Sequence, residues 1–249
     1  MQENNVKRMS RGKFYLIALA IGSILYLAMS LVYSFSATLA TYIKYPNMDS
    51  IPAEIQNNFL SVVQMLYCVP LVALAIYFFK DDLKNDFINL KENFVKHRTT
   101  VLLGVFGCLA LTGVVSQIYM WLGVEGDSAN QEIINEVLLG PGWWPMVISV
   151  VIIAPFIEEM LFRKLLCGVC EYTCGFKPVV TILASTILFA LIHVADLENL
   201  KFIFQYIPLA FVITFSYHYS KNIYVPIAIH LVNNLLSVVM LYLAVFLGV

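Results

Sequence analysis

Charge is what this sequence has least of. Across 249 residues, Asp, Glu, Lys and Arg make up 12%, against about a quarter in an ordinary soluble domain. Hydrophobic residues reach 60%, with a mean hydropathy of +0.81, a balance that excludes a water-soluble fold. The basic residues are scattered among loops and form no strip, so no nucleic-acid partner is expected. Disulfide staples are not expected either, because Cys68, Cys108, Cys167, Cys170 and Cys174 fall in or beside apolar runs. Cys167, Cys170 and Cys174 recur at i, i+3 and i+7 and could hold a soft metal; small apolar packing is the plainer reading. Internal repeats, low-complexity tracts, a GxSxG serine-hydrolase signature and an HExxH zinc helix are all absent.

What the chain has instead is long apolar runs. Crossing a hydrocarbon core of about 30 Å takes about 20 residues. Seven segments qualify or nearly do: Phe14 to Ile43, Phe59 to Phe79, Val101 to Val124, Trp143 to Tyr172, Pro178 to Ala195, Phe202 to Ser220 and Asn222 to Leu247. The expectation is an all-α, polytopic transmembrane bundle of seven spans, or eight if the long first run breaks, forming one membrane domain over residues 1–249. Lys7, Arg8, Arg11 and Lys13 precede a run too long for a signal peptide, so the first span is retained.

Basic residues set the orientation. The N-terminal tail, the Lys80 to Thr100 loop, Lys177 and Lys221 share one side, whereas Lys44 and Lys201 stand on the other beside Asp49, Glu54, Glu125, Asp127, Glu132, Glu136, Asp196 and Glu198. The basic side should be cytoplasmic, with the N-terminus inside a cell membrane, and the small size and lysine-rich tail fit a bacterial protein. Leu83, Phe87, Leu90 and Phe94 repeat at helical spacing among lysines, as in a helix lying on the membrane surface or an amphipathic connector packed on the domain. Trp143 and Trp144 follow Gly140-Pro141-Gly142 and fit an interfacial anchor after a turn.

Ionisable residues inside spans cost about 2.5–3.5 kcal/mol each to insert and so call for a function. One cluster stands out, Glu158-Glu159-Met160-Leu161-Phe162-Arg163, in which Glu159 and Arg163 can pair on one helix face while Glu158 points about 100° away. His193 follows Phe189 on span five, and His230 precedes Asn234 on span seven. At a rise of about 1.5 Å per residue, Glu158, His193, His230 and Asn234 fall at overlapping depths. Pro155 is expected to kink span four one turn before the glutamates. A carboxylate beside a histidine can deprotonate water for attack on a peptide carbonyl, the roles suited to Glu158 and His193. A second histidine and an amide, His230 and Asn234, can donate to the resulting oxyanion.

EExxxR at Glu158 to Arg163, FxxxH at Phe189 to His193 and HxxxN at His230 to Asn234 resemble, in that order and each on a span, the three motifs of the CPBP family of CAAX prenyl proteases and bacteriocin-processing or immunity proteins. Asn222 to Ile227 leads into the last motif as is common there. The resemblance covers about Trp143 to Asn234 and implies a helical intramembrane endopeptidase with Glu158, His193, His230 and Asn234 catalytic and Glu159, Arg163 and Phe189 supporting. The implied substrate is a membrane-associated peptide or protein, such as a bacteriocin or pheromone precursor or a CAAX-like protein. Family members have been described both as metal-independent and as metalloproteases; if zinc is bound here, Glu158, His193 and His230 are its ligands. Two other readings compete: a non-catalytic immunity or regulatory protein that binds a toxin or sensor kinase, and a proton-coupled transporter or haem protein using His193 and His230.

Overall fold

The computed structural model describes residues 10–24, 43, 53–194 and 197–248, with the backbone alone at 53–60, 64 and 67. Most of the expected first span, together with Lys7, Arg8, Lys44, Asp49, Ala195 and Asp196, lies outside the described residues. Every regular element among the described residues is helical. In chain order these are α1 (10–24), α2 (Ala53–Glu92), α3 (Phe94–Leu122), α4 (Ala129–Leu139), α5 (Trp143–Thr173), α6 (Pro178–Ile192), α7 (Ile203–Ser220) and α8 (Tyr224–Leu247). Among the described residues, five helices are long and apolar enough to cross a membrane: Ser61–Glu92, Phe94–Leu122, Trp143–Thr173, Asn199–Ser220 and Tyr224–Leu247.

The predicted fifth span is shorter than expected. α6 stops after 15 residues, with His193 as its C-cap. At about 1.5 Å per residue it covers about 22 Å, less than a full crossing. The outer loop between spans three and four also differs from expectation, for it contains α4. Ser128 caps that helix by accepting from the Gln131 N–H, and Val137 and Leu138 bury its apolar side against Met146, Val151 and Val238.

α2 bends at Phe79 (φ −114°, ψ 16°), where the second span was expected to end. Beyond the bend the amphipathic stretch packs as a connector: Leu83 joins a core with Ala18, Phe79, Met160, Leu165 and Ile223, while Phe87 and Phe94 remain exposed. Asp86 fastens it to α8, accepting the Ile223 N–H at 3.1 Å and pairing with the buried Lys164 ammonium at 3.0 Å.

α5 keeps its helical course through Pro155 by widening its turns. Ser149–Ile153, Met160–Leu166 and Val169–Thr173 are π-helical, and Ala154 N–H donates to the Ser149 carbonyl. In that register the next donor is Pro155, which has no N–H, so the Val150 carbonyl is left open. Asn234 fills it from α8, its Nδ2 donating to Val150 O at 2.9 Å.

The central core joins α3, α5, α6, α7 and α8 through Cys108, Phe162, Phe189, Ala210, Ile213, Val225 and Ile229. Gly104 lets α3 approach α8 closely, since a Cβ there would run into Ile229. Leu102, Leu103, Phe106, Met120 and Trp121 point outward from α3, the surface that acyl chains cover in a membrane protein. Trp143 and Trp144 start α5 half-exposed, as expected of an anchor.

Candidate active site

Glu158 lies midway along the 31-residue α5, about 22 Å from either end at the usual rise. Its neighbour Glu159 turns to the opposite purpose. Glu159 is fully buried, with Oε2 2.9 Å from Arg163 Nε one turn on and Oε1 2.9 Å from His230 Nδ1. Sequence spacing anticipated the first pairing but not the second. Arg163 is itself fully buried, its guanidinium 4.9 Å from the Phe189 ring centre.

His193 owes its orientation to the end of α6. Its own N–H bonds to Ala190 O at 3.2 Å in a tightened last turn, which leaves the Phe189 carbonyl open for the His193 Nδ1–H at 2.7 Å. A carbonyl can only accept, so Nδ1 carries the proton and the Nε2 lone pair of the neutral ring faces Glu158.

Three atoms therefore converge from three helices. Glu158 Oε2 is 3.9 Å from His193 Nε2 and 3.8 Å from His230 Nε2. These separations exceed a direct hydrogen bond, so the carboxylate faces both rings without bonding to either. Phe189 forms the floor, stacked on His193 at 4.5 Å and edge-on to His230 at 5.8 Å. The Glu158 side chain keeps 23% of its surface accessible whereas Glu159 keeps none, although the Glu158 Oε2 that faces both rings is itself covered.

Asn234, one turn beyond His230 on α8, donates one amide hydrogen to Val150 O, eight residues before Glu158 on α5. Among the described residues no group of three His, Cys, Asp or Glu side chains is disposed to hold a metal ion. The Cys167 and Cys170 side chains are buried and Cys174 is exposed, all as free thiols.

Residues 140–236, the stretch holding all of these groups, match the type II CAAX prenyl endopeptidase Rce1-like family. Over that stretch the chain is similar to CPBP-type membrane endopeptidases. It is 29% identical over 182 residues to the putative membrane peptidase YdiL of Bacillus subtilis (strain 168), covering 72% of this chain and 70% of that protein. It is 33% identical over 125 residues to the membrane-embedded CAAX protease MroQ of Staphylococcus aureus (strain USA300), covering 49% of this chain and 47% of that one. No solved structure matches.

Two contacts of this site were not anticipated from sequence. Tyr206, at the start of α7, lies 4.8 Å from His193 ring to ring, and its hydroxyl hydrogen-bonds Ser128. The Ser128-x-x-Gln131 pattern is a capping-box signature that would have placed α4, and hence Ser128, near a helix start.

Proposed function

We propose that this multi-pass CPBP membrane protein is an endopeptidase in which Glu158 and His193 activate water while His230 and Asn234 receive the oxyanion. The observation carrying this reading is the approach of Glu158 Oε2 to both Nε2 atoms from separate helices. A water bridging Glu158 and His193 loses its proton to that pair as its oxygen attacks the peptide carbonyl carbon. The carbonyl oxygen becomes the oxyanion, and the proton passes to the departing amine as the C–N bond breaks.

His230 Nδ1 lies 2.9 Å from Glu159 Oε1, and donation from Nε2 while Nδ1 donates to that carboxylate takes a second proton on the ring. His230 Nε2–H and the second Asn234 Nδ2–H then form the donor pair.

The substrate is a membrane-associated peptide or protein, such as a bacteriocin or pheromone precursor or a CAAX-type protein, and the N-terminus is cytoplasmic in a bacterial cell membrane. Comparing membrane proteomes of cells carrying the wild type and Glu158→Ala tests activity and substrate together. Uncut precursors should accumulate with Glu158→Ala, His193→Ala and His230→Ala, each folded in detergent, and not with Cys170→Ala. Normal turnover in Glu158→Ala would leave toxin or sensor binding as the function. Cleavage should also survive 1,10-phenanthroline; loss reversed by added zinc would instead make Glu158, His193 and His230 metal ligands.

A further inference from the structure

Among the groups at the site, His193 alone stands at a helix terminus, whereas Glu158, His230 and Asn234 sit inside α5 and α8. Helix ends fray, so something beyond α6 must hold its imidazole. Phe189 covers the ring at 4.5 Å and 28°. Tyr206 approaches it at 4.8 Å and 32°. Phe189 and Tyr206 thus both touch the imidazole, one from α6 itself and one from α7.

The Tyr206 hydroxyl is tethered in turn. It hydrogen-bonds the hydroxyl of Ser128, a fully buried residue that caps α4. The same junction is tied by Ala129 N–H donating to Asn199 Oδ1 at 2.9 Å and Gln205 Nε2 donating to Asp127 Oδ1 at 3.4 Å. The far end of α4 is fixed to the helix bearing His230, for Tyr242 Oη donates to Leu138 O at 2.7 Å. α4 is thus tied at its start to Tyr206 beside His193 and at its end to α8.

We propose that Tyr206 is a positioning residue for His193, and that Ser128 acts through Tyr206 to tie the start of α4 to that imidazole. The consequence for cleavage rests on the catalytic role proposed above for His193; the positioning itself does not. Without Tyr206 the ring is free to swing from Phe189 O, losing the bond that keeps its Nε2 lone pair directed at Glu158.

Nitrogen NMR of ¹⁵N-histidine-labelled protein in lipid nanodiscs reads this directly, because the chain has 4 histidines and His193→Gln assigns the relevant signals. The wild type should show His193 as a single Nδ1–H tautomer. Tyr206→Leu should give averaged, broadened His193 signals with His218 unchanged, and Tyr206→Phe and Ser128→Ala, which keep the ring and lose the tether, smaller broadening. Wild-type His193 signals in folded Tyr206→Leu overturn the proposal. Should that variant not fold, Ser128→Ala decides it by the same criterion. In cells, turnover of the precursors that accumulate with Glu158→Ala should slow roughly tenfold in Tyr206→Leu, as expected for a misaimed base. If Glu158→Ala and His193→Gln accumulate nothing, the hydrolytic reading fails while the spectra still judge Tyr206. If they do accumulate precursors and Tyr206→Leu matches wild type in both measurements, the positioning role alone fails.

Discussion

Arg163 and Asn234 show how a motif residue can serve structure as well as chemistry. Removing Arg163 leaves Glu159 fully buried without its arginine, and breaking such a pair costs about 3–5 kcal/mol. Arg163→Ala should therefore lower folded yield and detergent melting temperature, and adding Glu159→Gln should restore part of both; equal losses in the single and double variants would remove the ion pair as the cause. The spacing of Glu159 and Arg163 made their pairing legible in the sequence. Asn234 was legible only as a polar station, because its bond to Val150 O depends on a π-helical register that residue order does not reveal. Losing that bond leaves a part-buried carbonyl open, at a cost of about 1 kcal/mol. Asn234→Leu should melt earlier, and Pro155→Ala, which returns an N–H to α5, should recover stability but not cleavage. A cleavage rate that returns with stability would reduce Asn234 to a structural residue.

At the scale of elements, apolar run length located α3, α5, α7 and α8 to within a few residues at most ends, but said little about how the ends are tied. α6 falls short of a full crossing because His193 closes its last turn, and nothing in the run Pro178 to Ala195 marks that stop. α4 was hidden by its acids: Glu132 and Glu136 make the stretch look like a solvated loop, while Val137 and Leu138 are buried. The α2–α8 junction offers the clearest test of the connector. Asp86 satisfies the open Ile223 N–H near the start of α8 and compensates Lys164, whose side chain is 9% exposed. Asp86→Ala removes the Ile223 acceptor and leaves Lys164 only Asp82, at 3.8 Å, and we expect a loss of about 2–4 kcal/mol in denaturant titration. Asp86→Asn, which keeps the acceptor and gives up the charge, should fall between. If Asp86→Ala matches wild type, the carboxylate is dispensable and the connector is held by Leu83 and by the Asn222 bonds to Asp86 O and Asn89 Oδ1.

For the whole molecule, the fold gathers charge that the sequence only scatters. Arg11, Lys13, Lys80, Lys84, Lys91, Lys96, Arg98, Lys177 and Lys221 lie at one end of the bundle, where Thr173 bonds the Gly12 carbonyl, Glu171 pairs with His218 and Asn222 bonds the Asp86 carbonyl. At the opposite end, Tyr119 bonds the Lys201 carbonyl, and Lys201 is the one Lys or Arg there among the described residues. Contacts that join distant parts of the chain thus reproduce the division first drawn from loops, and a bundle so polarised should insert with its basic end inside. Exposed Cys174 lies at that end, and Leu197, 87% exposed, lies at the other. In a chain whose remaining cysteines are replaced, a membrane-impermeant maleimide should label Leu197→Cys on intact bacterial cells and Cys174 only after permeabilisation. The opposite pattern would put the α4 end of the bundle in the cytoplasm. A peptide reaching Glu158 past α4 would then come from inside the cell, and the search for uncut precursors would turn from exported peptides to cytoplasmic membrane proteins.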